Sequence, residues 1–529
     1  MHCTSFAPLA HRLSPLRWGG VWALALLGAC AAPGASGPPD SPAVALQSAN
    51  RLTWGANAPT QAVLARQSSR HWLDGQLQPG KTAAPLPAPV QAQIDAMTIT
   101  QRPAPELVAD MAAQRKAANA LPDDTAKQAA RTAWQQEMNR LAREAAQRHL
   151  LRAVYSPHQV QEQMGWFWLN HFSVFQGKGE IRAMVGDFED SAIRPHALGK
   201  FRDLLGAVLR HPAMLQFLDN AQNAAGRINE NYARELMELH TLGVDGGYTQ
   251  RDVQELARVL TGVGVQIDIA RDAPKLPPPQ QALYVRQGLF EFNPRRHDFG
   301  PKTFLGHPIR GQGMAEVDEA LDRLARAPAT ARFISTKLAH YWLADDAPQP
   351  LIDRMAQTFQ RSDGDIATTL RTLFTSTEFA QGAGRKFKDP MRYVVSALRL
   401  NYGNTPILNT APALNWLNRL GEPLYGRQTP DGYPLTDSAW SSPGQMETRF
   451  EIAKAMGSGR PDLLQPPATN APPGTPAEAP PVPAGARALY GDPPGATTLG
   501  ARTRQALAQA RTPAEWNALW LSSPEFMHR

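Results

Sequence analysis

The chain has 529 residues, 43% of them hydrophobic and 19% charged, which is too long for one small core and enough for one large or two medium folded units. Its 54 Lys and Arg against 47 Asp and Glu leave a net charge of +7. So mild an excess, spread along the chain, argues against a dedicated nucleic-acid stripe but is compatible with an anionic envelope polymer or lipid head group.

The first thirty residues, MHCTSFAPLAHRLSPLRWGGVWALALLGAC, place His11, Arg12 and Arg17 ahead of a short apolar run from Val21 to Leu27. That run is too short for a mature transmembrane helix and reads as a secretory signal over residues 1–29. Leu27-Gly28-Ala29 before Cys30 resembles the lipobox of bacterial lipoproteins, so Cys30 is expected to be acylated and to become the mature N-terminus. Cleavage near Ala32 as an ordinary signal peptide is the plainer alternative. Of the two cysteines, Cys3 falls in the removed segment and Cys30 takes the lipid, which leaves the fold no thiol for a disulfide or a thiolate metal site. With no aspartate after Ala31 to signal inner-membrane retention, the lipobox implies an outer-membrane lipid anchor, facing the periplasm or the surface. Loss of Arg12 and Arg17 lowers the net charge by two, from +7 to +5.

Residues 30–48 are rich in Ala, Pro, Gly and Ser and read as a flexible tether. Apolar residues at three and four spacing then predict helices over 127–152, 159–172, 199–209, 229–242, 249–263, 316–325, 329–343, 351–361 and 366–375. Between Ala282 and Ile309 the apolar residues alternate around Asn293-Pro294 and Gly300-Pro301, which predicts a β-hairpin of two or three short strands projecting from the helices. Further helices are expected over 385–400 and 450–456, separated by a Gly/Pro/Asn-rich stretch that holds Trp416, Tyr425, Tyr433 and Trp440. Residues 461–486 are too proline-rich to form a core and read as a disordered insertion before a last helical segment over 487–529. "TLFTSTEFAQ" from Thr372 is echoed weakly by "ALWLSSPEFMHR" from Ala518, which is too little for a repeat array. The fold expected is mainly α: a large multi-helix domain over 49–384 with a small β-hairpin insertion near 283–309, and a less regular C-terminal part over 385–460.

The densest polar motif is "NENYARELMELH", Asn229 to His240. On a helical wheel Tyr232, Ala233, Leu236, Met237 and Leu239 share one arc with His240 near its centre, while Glu230, Asn231, Arg234, Glu235 and Glu238 fill the other. An N-cap at Asn229 and i,i+4 pairs from Arg234 to Glu230 and Glu238 account for the acidic arc by themselves. The same arc facing a cleft would supply a general acid or base, for which Glu230 and Glu235 are the candidates. A lone histidine on an apolar face, such as His240, is more often a core residue than a ligand. The following "TLGVDGGYTQRD" has Gly246 and Asp252 where a calcium loop needs them, but Thr241 and Gly243 stand where ligands belong. A turn leading into a Thr249 to Asp252 capping box is the simpler reading.

"RRHDFGPK", Arg295 to Lys302, places His297 beside Asp298, which suits a general base with its orienter, an anion-binding turn with Lys302, or a solvated hairpin tip. Its Asp-Phe-Gly lacks the accompanying kinase motifs. "WFWLNHFSV" from Trp166 is an aromatic stripe ending in Asn170-His171. His171, His240 and His297 come from separate segments that folding could gather with Glu230 or Glu235 around a divalent metal, although no fixed metal-ligand spacing supports it.

Taken together, "NRLTWGANAP", "WFWLNHF", "FRDLLGAVLRHPAMLQFLDN", "NENYARELMELHTLGVDGGYTQRDVQELARVLTG", "NPRRHDFGPKTFLG" and "KFKDPMRYVVSALRL" resemble, in order, the domain-of-unknown-function 1800 family of exported bacterial proteins. The resemblance covers nearly all of the mature chain. It implies an exported, mostly helical protein, and it conveys no established activity. Members often neighbour an exported family resembling sulfatases and alkaline phosphatases, which implies work on an envelope or extracellular polymer. Two functional expectations follow. One is a hydrolase-like enzyme using Glu230 or Glu235 with His171, His297 and Asp298, with Arg234, Lys302, Asn170, Asn229 and Asn231 binding substrate. The other is a non-catalytic assembly or binding lipoprotein partnering a phosphatase- or sulfatase-like protein.

Overall fold

The computed structural model describes residues 38–78, 80, 85–466, 482–493 and 495–529. The expected signal peptide, Cys30, the start of the expected tether and the middle of the Pro-rich insertion lie outside the described residues. The fold is mainly α with small antiparallel sheets. Among the described residues no helix is long and apolar enough to cross a membrane.

The first helix, Pro42–Leu52, starts inside the stretch expected to be a tether. Ser41 caps it, and Ala45, Leu46, Ala49 and Leu52 bury one face, so the Ala-rich sequence carries a packing stripe that composition alone hides. Asp124–Tyr155 is the longest helix, 32 residues, and only its second half, from Met138 onward, is buried. Gln159–His171 is buried on almost every face. It is the central strut, and the Trp166 to Phe172 aromatic stripe is core.

Pro328–Trp342 runs antiparallel to this strut. Trp342 meets Met164 (Nε1 to Sδ, 3.4 Å), the Tyr341 ring lies 5.2 Å from Phe167, and Lys337, one turn earlier, reaches His171 at the strut's end. The order of these contacts fixes the direction.

The region expected to be a projecting hairpin forms two small sheets. Strands β1 (Val263–Val265), β2 (Val285–Gln287) and β3 (Phe290–Phe292) form an antiparallel sheet in the order β1-β3-β2, and β4 (Thr303–Phe304) pairs with β5 (His307–Pro308). Phe290, Phe292 and Phe304 are buried, so the sheets pack into the core instead of projecting. The helix expected over 249–263 ends at Val259, and Val263 instead pairs with Phe292, which satisfies its backbone in the sheet. The predicted capping box is present: Thr249 Oγ1 accepts from Asp252 N, and Asp252 Oδ2 accepts from Thr249 N at 2.9 Å. Asp252 Oδ1 also takes Leu305 N at 2.8 Å, so this carboxylate is committed to structure, not to a calcium loop.

In the C-terminal part the helix expected from 385 begins at Pro390, capped by Asp389. Residues 384–388 instead pair with the chain's last residues, Lys388 N to Met527 O (2.8 Å) and Arg529 N to Lys386 O (3.0 Å). The 402–444 stretch, expected to be irregular, forms a helix over Ala411–Arg419 and packs down through Trp416, Tyr425, Tyr433 and Trp440, all buried in the common core. The echo has a local cause: Ser376 and Ser523 each cap a short helix by accepting from the N–H of Phe379 and Phe526.

Candidate functional site

At the end of the central strut, His171 is fully enclosed. Its Nε2 donates to His240 O at 3.1 Å, so its Nδ1 is the acceptor that receives Lys337 Nζ at 2.9 Å. Burial, then the charge of Lys337, holds His171 well below the usual histidine range, and it stays neutral.

His240 sits in the turn after Asn231–Glu238, which ends four residues before the expected 242 because the chain closes on itself. His240 N bonds to Glu235 O at 3.1 Å, Leu242 N to Met237 O at 2.8 Å, and Thr241 Oγ1 to Leu236 O at 2.6 Å. Gly243 (φ +82°) completes the turn where an added Cβ would meet the Phe333 ring at 3.0 Å. The imidazole of His240 is completely buried, 5.9 Å from that of His171, and among the described residues neither of its nitrogens has a hydrogen-bond partner. Burial pulls its pKa down to about 3.

Lys337 is half-buried on an otherwise apolar face with Ile334, Leu338 and Tyr341. Among the described residues no carboxylate pairs with it; burial lowers its pKa to about 8, and the more distant Asp431 opposes this. Asp431 itself is engaged by Arg427 (Nη2 to Oδ2, 2.7 Å) and Thr429 (2.5 Å), which outweigh its partial burial and keep it below the usual carboxylate range. Glu235, also half-buried, is raised above its ordinary range by burial, then by Glu238, with Asp431 adding to the effect and Arg234 opposing it. Asn170 docks this loop on the strut. Its Nδ2 donates to Tyr433 O at 3.0 Å and its Oδ1 accepts from Tyr433 N at 2.6 Å. Gly432 (φ +77°) is required beside it, since a Cβ would lie 2.2 Å from Asn170 O.

A second buried network lies behind Asn170. Glu189, carried on the π-helical turn Phe188–Ile193, accepts from His149 Nδ1 (2.9 Å) and Tyr425 Oη (2.5 Å). Burial would raise this carboxyl, but His149, Arg152 and Tyr425 outweigh it and bring the pKa to about 2. Tyr425 has φ +56°, a left-handed backbone that a non-glycine residue holds only when tied down.

The remaining sequence-selected residues do not join His171. Asn229, Asn231, Glu230 and Arg234 lie at the start of Asn231–Glu238. Asn229 Oδ1 accepts from Asn231 N (3.0 Å), Asn231 Nδ2 donates to Leu218 O (3.2 Å), and Asn223 Oδ1 takes Asn229 N (3.0 Å). These asparagines stitch three segments together, a job that a simple N-cap serine cannot do. Glu230 pairs with Arg234 at 3.1 Å and accepts from Gln250 at 2.7 Å.

His297, Asp298 and Lys302 are elsewhere again. His297 is buried between Thr261 O (Nδ1, 2.7 Å) and Glu316 Oε1 (Nε2, 3.1 Å). Lys302 pairs with Glu316 at 2.7 Å, and Asp298 with Arg258 at 2.8 Å. These polar side chains are each bonded within the protein, so although Arg295, Phe299 and Pro301 are exposed, His297, Asp298 and Lys302 are committed to structure and do not form a solvated tip. Among the described residues no three His, Cys, Asp or Glu side chains gather so as to hold a metal ion, and His297 lies apart from the His171 and His240 pair.

Lys337 and Asp431 escaped the sequence reading. The available signal for Lys337 was a single cation on an apolar helical face; Asp431 lies in a loop with no periodicity to read.

A family model described as "Protein of unknown function (DUF1800)" matches residues 47–528, and the chain belongs to that family. No curated protein and no solved structure matches the chain.

Proposed function

We propose that this member of a family of unknown function is a hydrolase-like enzyme of the cell envelope, with Lys337 as its general base and Glu235 as its general acid. The observation that supports this is a pair of opposite shifts in two groups that both feel the charge of Asp431. An amine is held low enough to be partly neutral near pH 8, and a carboxyl is held above its ordinary range, so both are moved toward the pH at which proton transfer is efficient. His171 orients Lys337 through its Nδ1, His240 O fixes the His171 tautomer, and Asn170 holds the loop that brings Asp431 to the site. His171 and Asn170 are thus positioning residues.

The test is hydrolysis of a chromogenic panel of aryl esters, phosphodiesters and glycosides. Activity is expected to rise with pH through about 8 and to fall about 100-fold or more in Lys337→Met with the circular dichroism spectrum unchanged. Equal activity in K337M, or none across the panel, sinks the enzyme reading. The assembly or binding lipoprotein, partnering another exported protein, would then stand in its place.

Envelope attachment rests on Leu27-Gly28-Ala29-Cys30. Cys30→Ala is expected to move the protein from the membrane pellet to the soluble or unprocessed fraction, with loss of the acyl mass on the N-terminal peptide. A C30A protein that sediments as before with the same mass would count against lipidation.

A further inference from the structure

Five basic side chains, Arg51, Lys388, Arg392, Arg449 and Arg529, lie in the core near the chain's last residues, none more than 6% exposed. Buried Arg148, Lys302 and Lys386 each pair with a carboxylate. Among the described residues none of these five does. They are close enough to act on one another: burial, then Arg392, Arg529 and Arg449, hold Lys388 well below the usual lysine range. Burial, then Arg392, lowers Arg529 in the same way.

The acids nearby neutralise them only in part: the charge of Asp389 opposes the lowering of Lys388, Arg392, Arg449 and Arg529, but burial outweighs it. Asp389 caps Arg392 N at 2.7 Å, and Glu422 is raised well above its ordinary range by burial and Asp389, so it is held toward its neutral form. Glu525 is occupied by Gly500 N and Thr503 Oγ1, each at 2.7 Å.

Uncharged partners take part of the load. Arg392 Nη1 donates to Thr53 O (2.9 Å) and Arg449 Nη2 to Lys388 O (2.7 Å), while Lys388 Nζ lies 3.8 Å from the Phe526 centroid and the Arg51 guanidinium 3.6 Å from that of Phe379. Carbonyls and ring faces bring no net negative charge. Arg51 Nη2, Arg392 Nε, Arg449 Nε, and Arg529 Nε and Nη1 still face no acceptor. Buried cations in this state are costly unless an anion completes them.

Beside them lies a cavity of about 660 Å³ lined by Arg51, Lys388 and Arg529 together with Tyr490, Trp520 and Phe526, with Glu525, whose carboxylate is turned to Gly500 and Thr503, also on its wall. That space is larger than an inorganic anion needs and has aromatic walls for an apolar body. Two guanidiniums at one cavity, Arg51 and Arg529, favour a dianion over a single carboxylate, and their planar forks suit phosphate oxygens. We propose that this cavity binds an organic phosphate monoester, its phosphoryl group held by the charges of Arg51 and Arg529 with Lys388 as a hydrogen-bond donor, and its apolar body lying against Tyr490, Trp520 and Phe526. The proposal is independent of the reading of Lys337.

Titration calorimetry on the full mature chain with phenyl phosphate, inorganic phosphate and benzoate tests it. Phenyl phosphate is expected to bind saturably, about tenfold or more tighter than either of the others, and to raise the thermal midpoint of the wild-type protein. Arg51→Gln should weaken that binding about tenfold, and Lys337→Met should leave it unchanged. If R51Q does not fold, the wild-type comparison of the three probes still decides. No saturable binding of phenyl phosphate, benzoate binding as tightly, an unaffected R51Q, or loss of binding in K337M would each overturn the proposal.

Discussion

Acidification from pH 7 to pH 5 is expected to cost the folded protein about 2 kcal/mol through His240 alone. This imidazole is completely buried, both nitrogens lack partners, and its pKa is pulled down from 6.5 to about 3. In the unfolded chain it titrates normally, so between about pH 6.5 and 3 the unfolded state binds the extra proton. The sign follows: stability is fully present above 6.5 and is lost as pH falls toward 3. His171, shifted the same way, adds to the loss. Glu189 has its own window, from its ordinary 4.5 down to about 2, and contributes only at lower pH. His240→Leu, which removes two orphaned polar atoms at similar volume, should flatten the slope between pH 7 and 5 and be more stable than wild type at pH 5. Urea unfolding at the two pH values measures it; identical slopes for H240L and wild type would refute the assignment.

Glu189→Ala is expected to destabilise the fold by about 3–5 kcal/mol at pH 7. The carboxylate is 3% exposed and serves His149 and Tyr425 together, so its loss leaves two buried donors unpaired and a void. The consequence reaches the proposed site. Tyr425 holds a left-handed backbone at the start of the loop that carries Arg427, Asp431 and Tyr433, and the Glu189 bond anchors it there. Near pH 8, E189A should therefore also change the titration of Lys337, read by the pH dependence of its amine modification, because Asp431 opposes the lowering of that amine. A stability loss below about 1 kcal/mol would show that the network is not an anchor.

These two networks show where reading the sequence stopped. The wheel over Asn229 to His240 placed Tyr232, Ala233, Leu236, Met237, Leu239 and His240 inside; all but Leu239, which is half-buried, are buried. It could not say that His240 would be without a partner, because that depends on which segments close over it. The acidic arc divided in a way no wheel can show: Glu230 is bonded at its own helix end, while Glu235 lies near a loop almost two hundred residues away in sequence. The sheet region was legible as alternating residues, but its burial was not, since β1 had been read as the end of a helix.

The sequence by itself determined the helical class, the capping box at Thr249, the aromatic strut and the family, because periodicity, caps and ordered motifs are local and survive without tertiary context. Only the tertiary structure decided which polar residues meet. Lys337 with His171, Glu189 with Tyr425, and Arg51 with Arg529 are joined across 166, 236 and 478 positions. Charge, burial and hydrogen bonding at such points depend on packing between distant segments, and packing leaves no local pattern in the chain.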